Sequence, residues 1–113
     1  MVYIYGIKNC DSVKKALKFF KNHAIEYELI DFKNTPIDCV KVSNWLTSVE
    51  IKTLFNTRST TYRKLKIKEL NLDDISKKQY LCEHNLLIKR PVVEYKNQLL
   101  VGFNLKEYEG VFL

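Results

Sequence analysis

The sequence predicts an α/β domain: a mixed four-stranded sheet in the order βαβ followed by ββα, with a helical insertion between the second and third strands. Three observations carry this expectation. A short apolar strand pattern at the N-terminus passes directly into an amphipathic helix and returns to a second strand within 32 residues. Near the C-terminus, two short β-branched runs separated by two residues precede a further amphipathic stretch. Between these parts, from Phe32 to Arg90, only helical patterns recur.

Each element has a local cause. Val2 to Gly6 is a short continuous apolar and aromatic run ended by glycine, which reads as a buried strand. From Asp11, the apolar residues Val13, Ala16, Leu17 and Phe20 fall at i, i+3, i+4 and i+7, while Lys14, Lys15, Lys18 and Lys21 point away. Asn22-His23 closes this helix. Ile25 to Phe32 alternates and then turns apolar, a second strand that should run parallel to the first through a right-handed crossover.

The insertion, about residues 36–88, is expected to begin with Thr35 as N-cap and Pro36 at the first helical position. Val42, Trp45, Leu46 and Val49 then mark one helical face. Asn56 to Thr61 breaks the periodicity, Tyr62 to Leu65 reads as one helical turn, and Leu72 to Leu81 as another helix with a thin apolar stripe. Pro91 to Tyr95 and Gln98 to Gly102 form a hairpin pattern around Lys96-Asn97, and Leu105 to Phe112 a terminal helix. This order of elements is that of a thioredoxin-like domain carrying a helical insertion.

A chain of 113 residues with 46% hydrophobic content has the size of a single domain with a real core, residues 1–113. Lysine and arginine outnumber aspartate and glutamate 19 to 13, and the resulting charge of +6 draws anionic ligands. No apolar run approaches the ~20 residues of a membrane span, and the N-terminus lacks a signal-peptide pattern, so a cytoplasmic protein with no membrane partner is expected. Cys10, Cys39 and Cys82 show neither a C-x-x-C pair nor a metal-ligand rhythm. They are expected to be free thiols, with Cys39 and Cys82 as packing residues rather than resolving thiols, and no metal is expected.

Cys10 stands where the first strand hands over to the first helix. Unpaired backbone N–H groups and the positive end of the helix dipole favour a thiolate there, but the helix end supplies only ~0.3–1 kcal/mol and Asp11 opposes it. A further cation is needed. A planar guanidinium suits that need, since it holds a thiolate, an oxyanion or a carboxylate through paired hydrogen bonds. Asn9 and Ser12, which flank Cys10 in the sequence, can donate hydrogen bonds to the sulfur.

Three segments together resemble the ArsC/Spx family of arsenate-reductase-like proteins: Tyr5-Gly-Ile-Lys-Asn-Cys10-Asp-Ser-Val-Lys-Lys-Ala16, Leu54-Phe-Asn-Thr-Arg58-Ser-Thr-Thr-Tyr-Arg63-Lys-Leu65, and Leu87-Ile-Lys-Arg90-Pro91-Val92 with Val101-Gly102-Phe103. The resemblance implies a nucleophilic Cys10, Arg58 and Arg90 close to it, and Pro91 as the usually cis proline that faces the cysteine and offers a backbone edge to glutathione. The nearest subgroup is the short, single-cysteine one assigned by fold and site to glutathione-dependent thiol reduction. It implies catalytic Cys10, Arg58 and Arg90; substrate contacts are expected from Arg58, Arg90 and Pro91, together with Asn9 and Ser12 as hydrogen-bond donors beside the sulfur. Glutathione or another low-molecular-weight thiol would be co-substrate, an oxidised thiol the substrate, and no cofactor would be tightly bound.

Two departures bear on the alternatives. Arsenate reductases of the family carry a third arginine just after the Val-Gly pair, where this chain has Phe103-Asn104. Spx-type regulators, which contact RNA polymerase, usually carry a C-x-x-C switch and a longer C-terminal tail, whereas Cys10 is followed by Asp11-Ser12-Val13. A monothiol oxidoreductase is therefore the leading expectation, with a non-enzymatic RNA polymerase-binding regulator and an arsenate reductase behind it. The Arg63-Lys64-Lys66-Lys68 cluster reads as a solvated face, since no base-stacking pattern accompanies it, and nucleic acid is not the favoured partner.

Overall fold

The computed structural model describes all residues, Met1–Leu113, as two compact units: Met1–Asp31 with Arg90–Leu113, and Phe32–Lys89. The first holds a mixed sheet in the order β2-β1-β3-β4. Strand β1 (Val2–Gly6) runs into helix α1 (Asp11–Asn22), and β2 (Tyr27–Asp31) returns parallel to β1 with Val2 opposite Tyr27 and Gly6 opposite Asp31. Strand β3 (Val92–Tyr95) pairs antiparallel with β1, Tyr5 opposite Val92, and forms a hairpin with β4 (Gln98–Val101). Lys96 takes a positive φ of 55° in the hairpin turn. Strand β2 is shorter than its apolar pattern.

The terminal helix α6 (Leu105–Phe112) is capped by Asn104, whose side chain accepts the Glu107 N–H at 3.0 Å. Its Tyr108 joins Val2, Ile4, Ala16, Phe19, Phe20, Val93 and Leu100 in one buried cluster, with Phe19 and Phe20 meeting the Tyr108 ring at 5.5 and 5.7 Å. Of the apolar stripe predicted for α1, Ala16 and Phe20 enter this cluster, Leu17 packs against it and Val13 is buried outside it. Phe19 joins from beside the stripe, and the helix is fixed by packing rather than by propensity.

The Tyr108 hydroxyl donates to the Gly102 carbonyl at 2.9 Å inside the core. Burial, helped by the neighbouring Glu107, pushes its pKa above the ordinary value of 10.0. The folded state therefore holds this proton more tightly than the unfolded chain. Its contribution is complete below about pH 10 and is lost as the pH climbs from there toward the folded value. Urea midpoints measured from pH 8 to 11 should fall above pH 10, and less steeply in Tyr108→Phe, which cannot ionise.

The helical unit contains α2 (Cys39–Trp45), α3 (Ile51–Leu54), α4 (Thr60–Lys64) and α5 (Asp74–Glu83), with 3₁₀ turns at Ile67–Leu70 and Asn85–Leu87. Two expectations are corrected. The first helix starts at Cys39, not after Thr35, because Asp38 is its N-cap, accepting the Lys41 N–H at 3.0 Å. The Ile37 N–H is meanwhile drawn to Asn85 Oδ1 at 2.9 Å, which holds the Pro36 segment outside the helix. The second correction concerns Cys39 and Cys82, expected as free packing thiols: they form a disulfide, with Cα atoms 5.0 Å apart across 43 positions. Cys39 lies within the helix expected after Thr35 and Cys82 one residue beyond the expected end at Leu81, in the last turn of α5, but the crossing of α2 with α5 that makes them neighbours has no sequence signature.

Candidate active site

The C-terminal end of β1 brings together the Cys10 loop and the Arg90-Pro91 segment. Cys10 is the N-cap of α1, with extended backbone (φ −145°, ψ 124°), and its carbonyl accepts the Lys14 N–H at 2.9 Å. Its side chain makes no capping hydrogen bond. The thiol is thus left to other chemistry, beside the first-turn N–H groups that have no intrahelical acceptor. Cys10 is half-buried and is the one cysteine outside a disulfide. Asn9 is exposed and Ser12 half-buried on either side of it.

Gly6 is where this arrangement is tightest. A Cβ on Gly6 would lie 2.7 Å from Val13 Cγ2 and 3.8 Å from Arg90 Cβ, so the glycine lets strand, helix and the Arg90 segment converge. Gly6→Ala must move the buried Val13 or the strand end that leads to Cys10, at a cost of ~1–3 kcal/mol. Its melting temperature should drop and Cys10 alkylation should change rate. Adding Val13→Ala, which removes the clashing methyl, should restore part of both.

The Arg90–Pro91 peptide bond is cis. Arg90 is half-buried, with its Nε enclosed. The Pro91 carbonyl accepts the Gly102 N–H at 2.7 Å, and Gly102, with φ 81°, in turn accepts from Tyr108. Position 102 needs that left-handed backbone, which glycine adopts without strain. The proline segment is therefore anchored through the hairpin to the aromatic core.

Arg58 stands in the helical unit, exposed, one residue before the N-cap of α4. Its loop is built by two residues that the sequence reading passed over. Asn56 Oδ1 accepts the Arg58 N–H at 3.0 Å, while the buried Ser59 hydroxyl donates to the Asn56 carbonyl at 3.1 Å and accepts the Tyr62 N–H at 3.0 Å. Asn56 itself donates its N–H to the Leu87 carbonyl at 2.8 Å. The signal was available as an Asn two residues before the arginine and a Ser heading a helical turn. No group of three or more His, Cys, Asp or Glu side chains is arranged to hold a metal ion. No helix is long and apolar enough to cross a membrane.

A parallel βαβ unit and an antiparallel hairpin in one mixed sheet, with a cysteine at the strand-to-helix junction and a cis proline ahead of the hairpin, define a thioredoxin-like domain. Within that class the chain belongs to the ArsC family, which it matches over residues 5–111. An uncharacterized protein of Haemophilus influenzae is 43% identical over 117 residues, covering 99% of each chain. Global transcriptional regulator Spx 2 of Bacillus cereus is 30% identical, with 95% of this chain aligned to 83% of that one. The solved structure of the protein YffB superposes with a TM-score of 0.92 at 32% identity over the full length of both chains.

Proposed function

We propose that this chain is a thiol–disulfide oxidoreductase that reduces glutathione mixed disulfides through Cys10 alone. The observation that carries this reading is the thiol itself: free, half-buried, uncommitted to capping, at the strand-to-helix junction. In the first step the Cys10 thiolate attacks the glutathionyl sulfur of a mixed disulfide. The substrate leaves as a thiolate and takes up a proton, and a Cys10–glutathione disulfide forms. A second glutathione thiolate attacks the glutathionyl sulfur of that bond, releasing Cys10 as thiolate and oxidised glutathione. In sum, one reduced glutathione enters, the substrate thiol is regenerated, and the glutathione carried in by the substrate leaves paired with the incoming one as oxidised glutathione, so no other reductant is required.

In this reading Arg90 holds the glutathione carboxylate or the developing thiolate, Asn9 and Ser12 donate hydrogen bonds toward the sulfur, and the Pro91 segment offers a backbone edge to the glutathione peptide. Arg58 is assigned the same kind of role on the strength of the motif around it. A charge-assisted hydrogen bond contributes ~1.5–3 kcal/mol, so Arg90→Ala should slow formation of the Cys10–glutathione adduct by about 10- to 100-fold. Arg90→Lys, which keeps the charge but loses the planar fork, should fall between. The deciding test is turnover of a glutathionylated peptide by the parent and by Cys10→Ser.

One observation favours a second reading. The 30% identity to an Spx regulator over most of both chains supports a non-enzymatic role on RNA polymerase. Here purified polymerase would co-elute with the chain, and Cys10→Ser would leave that binding in place. Arsenate reduction is a third possibility within the family, weakened by Phe103-Asn104 where a third arginine would stand. Arsenate-dependent consumption of glutathione tests it.

A further inference from the structure

We infer that Cys39 and Cys82 form a second thiol–disulfide exchange site, carried by the helical unit, independent of Cys10, and opened by a small dithiol. The bond joins the first residue of α2 to the last turn of α5. Exchange requires an external thiolate to reach one of the two sulfurs. Cys39 is exposed, and the half-buried Cys82 lines an open cleft of about 330 Å³ together with Phe32, Pro36, Ile37, Thr61 and Asn85. A disulfide so situated equilibrates with the thiols around it, unlike one sealed in a core.

The helices on either side do not depend on the bond. Asp38 caps α2, and Asp73 caps α5 by accepting the Ser76 N–H at 2.8 Å. The junction keeps its own hydrogen bonds, Ile37 N–H to Asn85 Oδ1 at 2.9 Å and Asn85 Nδ2 to the Leu81 carbonyl at 3.1 Å. Val42, Trp45, Leu54, Leu81 and Leu87 are buried in the unit. Opening the bond therefore removes a tether between α2 and α5 and leaves their caps and apolar faces in place.

The chemistry balances without any further partner. A dithiol thiolate attacks the Cys39 sulfur, forming a mixed disulfide and expelling Cys82 as a thiolate that takes up a proton. The second thiol of the reagent, once deprotonated, attacks its own sulfur in that mixed disulfide and expels Cys39 in the same way. The reagent leaves as a cyclic disulfide, and two electrons and two protons have passed to the protein. Oxidised glutathione drives the reverse reaction through a glutathionylated cysteine, yielding two molecules of reduced glutathione.

The test uses the full chain carrying Cys10→Ser, so that its result is separate from the fate of the Cys10 reading. The oxidised protein is incubated in native buffer with dithiothreitol, alkylated, and mapped by mass spectrometry, with circular dichroism and melting curves in parallel. The expected result is no alkylation before reduction, alkylation at both Cys39 and Cys82 after it, an unchanged far-UV spectrum and a lower melting temperature. Treatment with oxidised glutathione should restore the starting state. Alkylation of both residues without reductant, or resistance to dithiothreitol until denaturant is added, would overturn the inference. A Cys39→Ser/Cys82→Ser variant of the same chain should fold, melt near the reduced form and ignore dithiothreitol; failure to fold would show an obligatory staple and overturn it equally.

Discussion

Cys10→Ser should lower the turnover of a glutathionylated peptide by at least about 10³-fold, to near the uncatalysed rate, while leaving the melting temperature close to that of the parent. The size of the loss follows from the two-step route: both steps pass through a bond to the Cys10 sulfur, and a serine hydroxyl neither attacks a disulfide nor leaves as a stable anion. The small effect on stability follows from the local structure. The Cys10 side chain makes no capping hydrogen bond, and the helix it heads is held by the buried faces of Val13, Ala16, Phe19 and Phe20. A serine at an N-cap is itself favourable. A large loss of both activity and stability would mean that the thiol packs rather than reacts.

The second large effect is on stability. Closing a loop across 43 positions removes conformational freedom from the unfolded chain, and the loop-entropy relation puts the stabilisation at about 4 kcal/mol. Against the ~5–15 kcal/mol that holds a typical domain together, this is a substantial share. Denaturant unfolding of the oxidised parent and of Cys39→Ser/Cys82→Ser should differ by roughly that amount, and the difference should vanish when both are measured with excess dithiothreitol. A persistent difference under reduction would assign the loss to packing of the two side chains.

The fold was legible wherever one face of an element is buried. Val13, Ala16 and Phe20 announced α1 because a helix of period 3.6 must turn them inward together, and the Val92 and Leu99 runs announced the hairpin because two residues, Lys96-Asn97, separate them. The parallel β1/β2 pair follows from connection length and handedness, and it holds; the placing of β3 beside β1 was not read from the sequence. The start of α2 was misread because Thr35-Pro36 is a good local helix signal, and its failure depends on Asn85, 48 positions away from Ile37. The disulfide was misread for the same reason. Composition and spacing describe a cysteine's neighbours along the chain, whereas bonding depends on neighbours in space.

The site divides in the same way. Cys10 at the strand-to-helix junction and Arg90-Pro91 ahead of β3 are read from local order, and the β1/β3 register sets both at the C-terminal end of β1. The supports are non-local: Gly6 matters because of Val13 and Arg90, and Gly102 because Pro91 and Tyr108 both hydrogen bond to it. Asn56 and Ser59 were legible in principle, as an Asx turn leading into a capped helix, but were hidden in a stretch that looked merely irregular.

The most direct measurement is mass mapping of the parent chain after brief incubation with oxidised glutathione. A single glutathione on Cys10, with Cys39 and Cys82 still joined and release of the adduct by added reduced glutathione, is the predicted result. No adduct at Cys10, or one that reduced glutathione cannot remove, would contradict the assignment of Cys10 as the exchanging thiol and leave the binding role on RNA polymerase as the better account.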